Sequence, residues 1–279
     1  MQADDWPLVL FTLLVQAVVG SVVTAVVVHW RLSRSGEQEV AERLLNRSLP
    51  WLGGLLAVAV TISLIHLGHP LRAIYAISNL AGSWLSREVL LVGLVAGSGM
   101  LLGLLQWRSW GSATVRRLLG WLTAALGVAL VVAMSGVYML ATVPPWNRLV
   151  TPLAFVSTAA LLGVVTVAAL LVGLGSTDSS SVRRLICRLL VVVQALIGLR
   201  LVAILVTALP ASGGQQPAGP APWAPIVQAA LLVTVAAVLA ARRRDGIPAA
   251  LWFLTTLLVG GSELIGRVLF FASYWRTGV

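Results

Sequence analysis

The stretch from His66 to Glu88, HLGHPLRAIYAISNLAGSWLSRE, gathers two of the three histidines with Arg72, Arg87 and Glu88 between two hydrophobic runs. Imidazole changes charge near neutral pH, and a carboxyl group at the edge of an apolar region is tuned by desolvation and by nearby arginines. Residues of these types, where two apolar runs surface together, are equipped to accept and release protons. Further along, Arg200 interrupts another apolar run, and Glu263 and Arg267 stand four apart in GSELIGRVLFF.

The elements that must position these groups follow from composition. The chain has 279 residues, 59% of them hydrophobic and 10% charged, with a mean hydropathy of +0.97. Those values lie far outside the range of soluble globular domains. A membrane-spanning helix needs roughly 20 apolar residues, and eight such runs are present, joined by loops too short to fold separately. The expected fold is all-α: a polytopic membrane protein with eight transmembrane helices in one bundle, residues 1–279 forming a single domain. The runs are placed at about 6–29, 49–65, 88–107, 117–140, 150–174, 185–209, 223–241 and 247–271. The first lacks a basic leader and is too long for a signal sequence, so it is counted as a retained span.

Between the runs, WRLSRSGEQEVAERLLNR reads as a polar loop, and residues 70–87 as a short helix lying in the membrane interface. Gly99 and Gly103 form a small-xxx-small pair suited to close packing. PASGGQQPAGPAP has the composition of an irregular loop, and no convincing internal repeat is found.

The net charge of +10 comes entirely from arginine as the basic residue, and most of the arginines sit at helix ends, so it reports membrane topology and no nucleic-acid partner. Arg31, Arg34, Arg43 and Arg47, then Arg108, Arg116 and Arg117, then Arg183, Arg184 and Arg188, then Arg242, Arg243 and Arg244 fall on one side. Arg72, Arg87, Arg148 and Arg276 fall on the other. The positive-inside rule then predicts both termini outside, on the periplasmic side of a bacterial or archaeal cytoplasmic (inner) membrane. His66, His69, Arg72 and Glu88 lie on that outer face, and Arg200, Tyr138 and Arg267 in the outer halves of their helices.

An ionised group deep in a span costs at least about 2.5 kcal/mol on insertion scales, so it faces a partner or a wet cavity. Glu88, Arg200, Glu263 and Arg267 call for such an explanation. Glu263 and Arg267 share one face of the eighth helix in the favourable order for an i,i+4 pair; the plain alternative is a structural ion pair. A quinol gives up protons as it gives up electrons, which suits a cluster with His66 and Glu88 as acceptor and proton exit, tuned by Arg72, Arg200 or Arg267. The plain reading of His66 is an interfacial anchor. Trp6, Trp30, Trp107, Trp110, Trp146, Trp223 and Trp275 read as an aromatic belt, and Cys187 as a small buried hydrophobe. His29 stands at the opposite end from His66 and His69, so no bis-imidazole haem is expected. No metal-ligand spacing, Walker motif or Rossmann fingerprint is present.

HLGHPLRA with SNLAGSWLSRE, then VYMLATVPPWNRLVTPLAF, then GSELIGRVLFF resemble, in order and spacing, the membrane anchor subunit of dimethyl sulfoxide reductase. The resemblance covers nearly the whole sequence. It implies an anchor that binds an iron–sulfur electron-transfer subunit and a molybdopterin catalytic subunit in the membrane lipid and exchanges electrons with menaquinone/menaquinol. Iron–sulfur clusters and molybdopterin are then confined to the partner subunits. The family's quinol-linked histidine and glutamate match His66 and Glu88; Arg72 matches the arginine of its HLGxPxRA motif, and Glu263 with Arg267 its ELIGR motif. The sequence departs from the pattern at His69 and at Arg87, an extra basic group beside Glu88. Related anchors feed quinone from sulfite-oxidising complexes, so reversed electron flow is one alternative; a transporter and a purely structural anchor are the others.

Overall fold

The computed structural model describes residues 6–66, 77–175, 179–208, 223–242 and 247–274. Its elements are α1 (Trp6–Arg34), α2 (Gln38–His66), α3 (Trp84–Trp107), α4 (Ala113–Tyr138), α5 (Val150–Gly173), α6 (Ser180–Ala208), α7 (Ala224–Ala241) and α8 (Ala249–Ala272). All eight are long and apolar enough to cross a membrane, and no strand occurs among the described residues. Large apolar side chains such as Met100, Leu118, Ile226 and Phe253 stand exposed on the outside of the bundle. In water they would form an adhesive surface; in lipid they are matched to their solvent. The protein is a multi-pass integral membrane protein.

Two expectations about the elements need correction. WRLSRSGEQEVAERLLNR is not a loop: α1 runs on to Arg34, a turn through Gly36 (φ 82°) reverses the backbone, and α2 starts at Gln38. Charge density hid a helical stripe, because Val40, Ala41, Leu44, Leu45, Ser48 and Leu49 are all buried with the spacing of one helix face. Pro50 sits inside α2 without ending it, although its ring removes one backbone hydrogen bond there. Likewise α3 begins at Trp84, capped by Ser83, whose hydroxyl accepts from the Ser86 amide at 3.2 Å. Residues 84–87 therefore belong to α3, and 77–79 form a 3₁₀ turn. Residues 80–82 are a turn, so no helix spans 77–83; 70–76, with Arg72, lie outside the described residues, as do His69 and the PASGGQQPAGPAP loop.

The helices α1–α4 and α5–α8 share one neighbour pattern. In each group the first helix packs on the second and fourth, and the third lies against both of those. The groups meet at α1 and α5, the two most enclosed spans, each with 72% of its apolar window buried. Their crossing is close because Gly20 and Gly163 face each other: a Cβ on Gly20 would overlap the Ala159 carbonyl, and one on Gly163 the Gly20 backbone. The small pair expected to do this, Gly99 and Gly103, does not. An added Cβ at Gly99 meets only a Thr123 methyl at 3.8 Å, and one at Gly103 meets nothing within 4 Å.

The connections after α1, α3, α5 and α7 are short, so each of these helices ends beside the start of the next one. Further contacts link helix ends across the bundle. The Ser179 hydroxyl before α6 bonds Glu37 before α2, and the Trp146 indole in the α4–α5 turn donates to the Phe270 carbonyl near the end of α8 at 2.8 Å. Trp146 is thus a buried keystone stacked on Phe270 (5.1 Å, 12°), not a member of an aromatic belt. Trp6, Trp107, Trp110 and Trp223 are exposed near helix ends as a belt requires. Cys187 on α6 is half-buried rather than enclosed.

Candidate functional site

At the face shared by the start of α3 and the end of α8, polar groups converge from several helices. Glu88 sits in the second turn of α3 and is 6% exposed. The first turn of α3 is held against α4 by Trp84, whose ring occupies the space that a side chain at Gly136 would need. Two residues on, at the end of α4, Tyr138 is buried against Trp146, Phe155, Phe270 and Phe271, with ring centroids 5.4–5.5 Å away. The Arg267 guanidinium on α8 reaches the same ring cluster, lying over Phe155 at 3.9 Å.

Deeper in the same half of the bundle lies a buried ion pair. Arg200 on α6 donates from Nε and Nη2 to the two carboxylate oxygens of Glu263 on α8, at 2.9 and 2.8 Å. Thr158 on α5 donates to Glu263 Oε2 at 2.5 Å. Such a two-pronged arginine–carboxylate contact is the strongest polar geometry available to these groups. The expected i,i+4 pair of Glu263 with Arg267 is therefore not made: an acid and a base on one helix face are only in reach of each other, and α6 offers the better-aligned partner.

Arg267 turns elsewhere. Its Nη2 donates to Gln16 Oε1 on α1 at 2.6 Å, and its guanidinium lies over the Phe155 ring at 3.9 Å and near Phe270 at 5.8 Å. Its Nε is buried without an acceptor. A cation held by ring faces and one amide, with no carboxylate bonded to it, is an incomplete site, since buried donors are normally satisfied.

Gly266 makes this packing possible, because a Cβ there would overlap the Gln228 amide nitrogen and crowd Arg200 Nη2 at 3.2 Å. Gln228 on α7 is itself fixed by Ser262, whose hydroxyl donates to its carbonyl at 3.2 Å. Arg87 does not bear on Glu88 as its position in sequence suggested. Its guanidinium donates to the Leu80 and Ala81 carbonyls at 2.9 and 2.7 Å and stacks over Trp84 at 4.3 Å, with no Arg87–Glu88 ion pair among the described residues. His66 closes α2, but its side chain lies outside the described residues, with His69 and Arg72.

Comparison with known proteins bears on this arrangement. The family described as "DMSO reductase anchor subunit (DmsC)" matches residues 1–272. This protein belongs to the DMSO reductase anchor subunits. It is 32% identical to the YnfH subunit of anaerobic dimethyl sulfoxide reductase from Escherichia coli, over 99% of its own length and 96% of that protein. It is 29% identical to the C subunit of anaerobic dimethyl sulfoxide reductase from the same organism, over 99% and 96%. The C subunit from Haemophilus influenzae is 28% identical, over 60% of the present sequence and 59% of that protein.

In this anchor subunit, then, the structure brings Arg200 and Glu263 together, sets Arg267 over Phe155 in the ring cluster that also holds Tyr138, and buries Glu88 at the same end. Reading the sequence missed Gln16, Thr158, Gln228 and Gly266. The signal existed for two of them. Gln16 and Gln228 are amides within apolar runs, and the cost of burying a polar group without a hydrogen bond applies to amides as it does to charges.

Proposed function

We propose that this anchor subunit oxidises menaquinol at the end of the bundle that holds Glu88, Tyr138 and Arg267, and passes the electrons to an iron–sulfur subunit docked there. That subunit serves a molybdopterin catalytic subunit. The reading takes this face as the periplasmic one, with both termini outside, from the arginines gathered at the opposite face. The observation that carries it is Arg267: a buried guanidinium over Phe155 with an Nε donor that has no acceptor. A quinone oxygen is such an acceptor, and the Tyr138, Trp146, Phe155 and Phe270 rings suit a flat fused-ring headgroup.

The residues divide the work. Arg267 orients the headgroup through its oxygen, and Glu88 takes a hydroxyl proton, with His66 at the end of α2 as the second acceptor. Arg72 is assigned to the same wall by its match to the family motif. Arg200 and Glu263, which satisfy each other, hold α6 and α8 in the register that keeps Arg267 in place. The bound quinol supplies the electrons; the protein supplies proton acceptors whose removal of protons keeps the oxidation moving forward. Arg87, the extra basic group beside Glu88 in sequence, is bonded to the turn carbonyls and is not aimed at the carboxylate.

Extraction of the native membranes in mild detergent tests this reading. The anchor is expected to co-purify with an iron–sulfur subunit, a molybdopterin subunit and menaquinone. Isolation of the intact anchor without a redox partner and without quinone would contradict it.

A further inference from the structure

A second group of polar and basic side chains lies at the opposite end of the bundle, around a cavity of about 200 Å³ between the end of α1, the start of α2, the end of α3 and the start of α4. This is several times the share of about 30 Å³ that one water takes in the liquid. Its acid is Glu42, which is already engaged. Gln38 donates to Glu42 at 2.7 Å, Gln106 donates to its other oxygen, and His29 Nε2 lies 3.5 Å away. Against this single occupied carboxylate, Arg34, Arg116 and Arg117 line the same space.

The backbone adds to the imbalance. α4 begins at Ala113 and α2 at Gln38, both in the cavity wall, so the positive ends of two helix dipoles point towards it. The first turn of α2 carries Glu39, which faces Arg43 at 3.9 Å and does not line the cavity, but no acid occupies the first turn of α4; Arg116 and Arg117 stand near its start, where basic charge opposes the dipole. Arg116 is held in place by the Trp110 and Gly111 carbonyls at 3.5 and 3.1 Å. The Ser33 hydroxyl, also in the wall, is buried without a partner. Such a field is completed by an anion.

The remaining lining fixes what kind of anion. Val26, Leu45 and Gly120 give the cavity an apolar floor. Trp30 and Trp121 meet edge to face at 6.4 Å, with Arg34 over Trp30 at 4.7 Å. Leu118 and Leu122 on α4, 64% and 53% exposed, continue the apolar surface outwards. Tryptophan at helix ends marks the headgroup level of a bilayer. The occupant therefore has an anionic head and an apolar tail.

We propose that this cavity binds the phosphate of an anionic membrane phospholipid, between Arg34, Arg116, Arg117 and the starts of α2 and α4, with an acyl tail along α4. The site does not depend on the quinol reading, since it lies at the other end of the bundle and shares no residue with it.

The test uses the intact complex, purified in mild detergent and depleted of lipid, with retained lipid counted by native mass spectrometry. Phosphatidylglycerol is expected to be retained at least tenfold more strongly than phosphatidylcholine of the same acyl length, and inorganic phosphate at equal concentration is expected not to displace it. Arg34→Gln with Arg117→Gln is expected to abolish that preference, while Arg183→Gln with Arg184→Gln, equal in charge on the same face, leaves it intact. If the double variant fails to assemble, Arg117→Gln alone is expected to reduce the preference measurably. Equal retention of the two lipids, an unchanged preference in the Arg34 and Arg117 variants, or displacement by inorganic phosphate would overturn the proposal.

Discussion

Replacing Glu263 alone with leucine is expected to destabilise the bundle by about 3–5 kcal/mol, because it leaves the Arg200 guanidinium buried and uncompensated. Arg200→Met should cost a similar amount by stranding the carboxylate, which would then keep only its bond from Thr158. The double variant Arg200→Met with Glu263→Leu is expected to recover most of the loss. Each charged side chain is costly to hold away from water, and the pair is favourable only relative to one member alone. Thermal unfolding of the purified complex, read as a double-mutant cycle, measures the coupling. Additive single effects, with the double variant the least stable, would show that the pair is not the interaction holding α6 to α8.

Glu88→Gln should act in the opposite way. The substitution keeps shape and removes a charge from a nearly buried position, so the complex should assemble with unchanged or slightly higher thermal stability. Quinol-driven turnover should nevertheless fall by about 10²-fold or more, the usual range for losing a positioned proton acceptor. Electron delivery from an artificial donor directly to the partner subunits should be unaffected. Full quinol-driven turnover in the assembled Glu88→Gln complex would remove Glu88 from the reaction.

The contrast between these variants follows from where each carboxylate stands. Glu263 is enclosed and bonded on both oxygens. Glu88 lies near the start of its helix, at the level where Tyr138 ends α4.

Spans were legible in the sequence because the bilayer imposes a length and a composition that few other environments share. The polar positions Glu88, Arg200, Glu263 and Arg267 were legible for the same reason, since charge in an apolar run requires a cause. Partners were not. Arg200 and Glu263 are 63 residues apart, and nothing in local spacing distinguishes that pair from Glu263 with Arg267. Glycine spacing failed in the same manner, because it marks a helix that can approach another without naming the other. Gly99 and Gly103 have the spacing, yet α1 and α5 meet through Gly20 and Gly163. The amphipathic first half of α2 was obscured by charges, although Val40, Ala41, Leu44 and Leu45 carry the helical period.

Photolabelling of the intact complex with an azido-naphthoquinone tests most directly which end of the bundle meets the quinol. Label is expected on peptides containing Glu88 and the C-terminal half of α8 around Arg267 and Phe270, and excess menaquinol should suppress it. Label confined to the His29 and Trp121 end, or undiminished by menaquinol, would contradict the account.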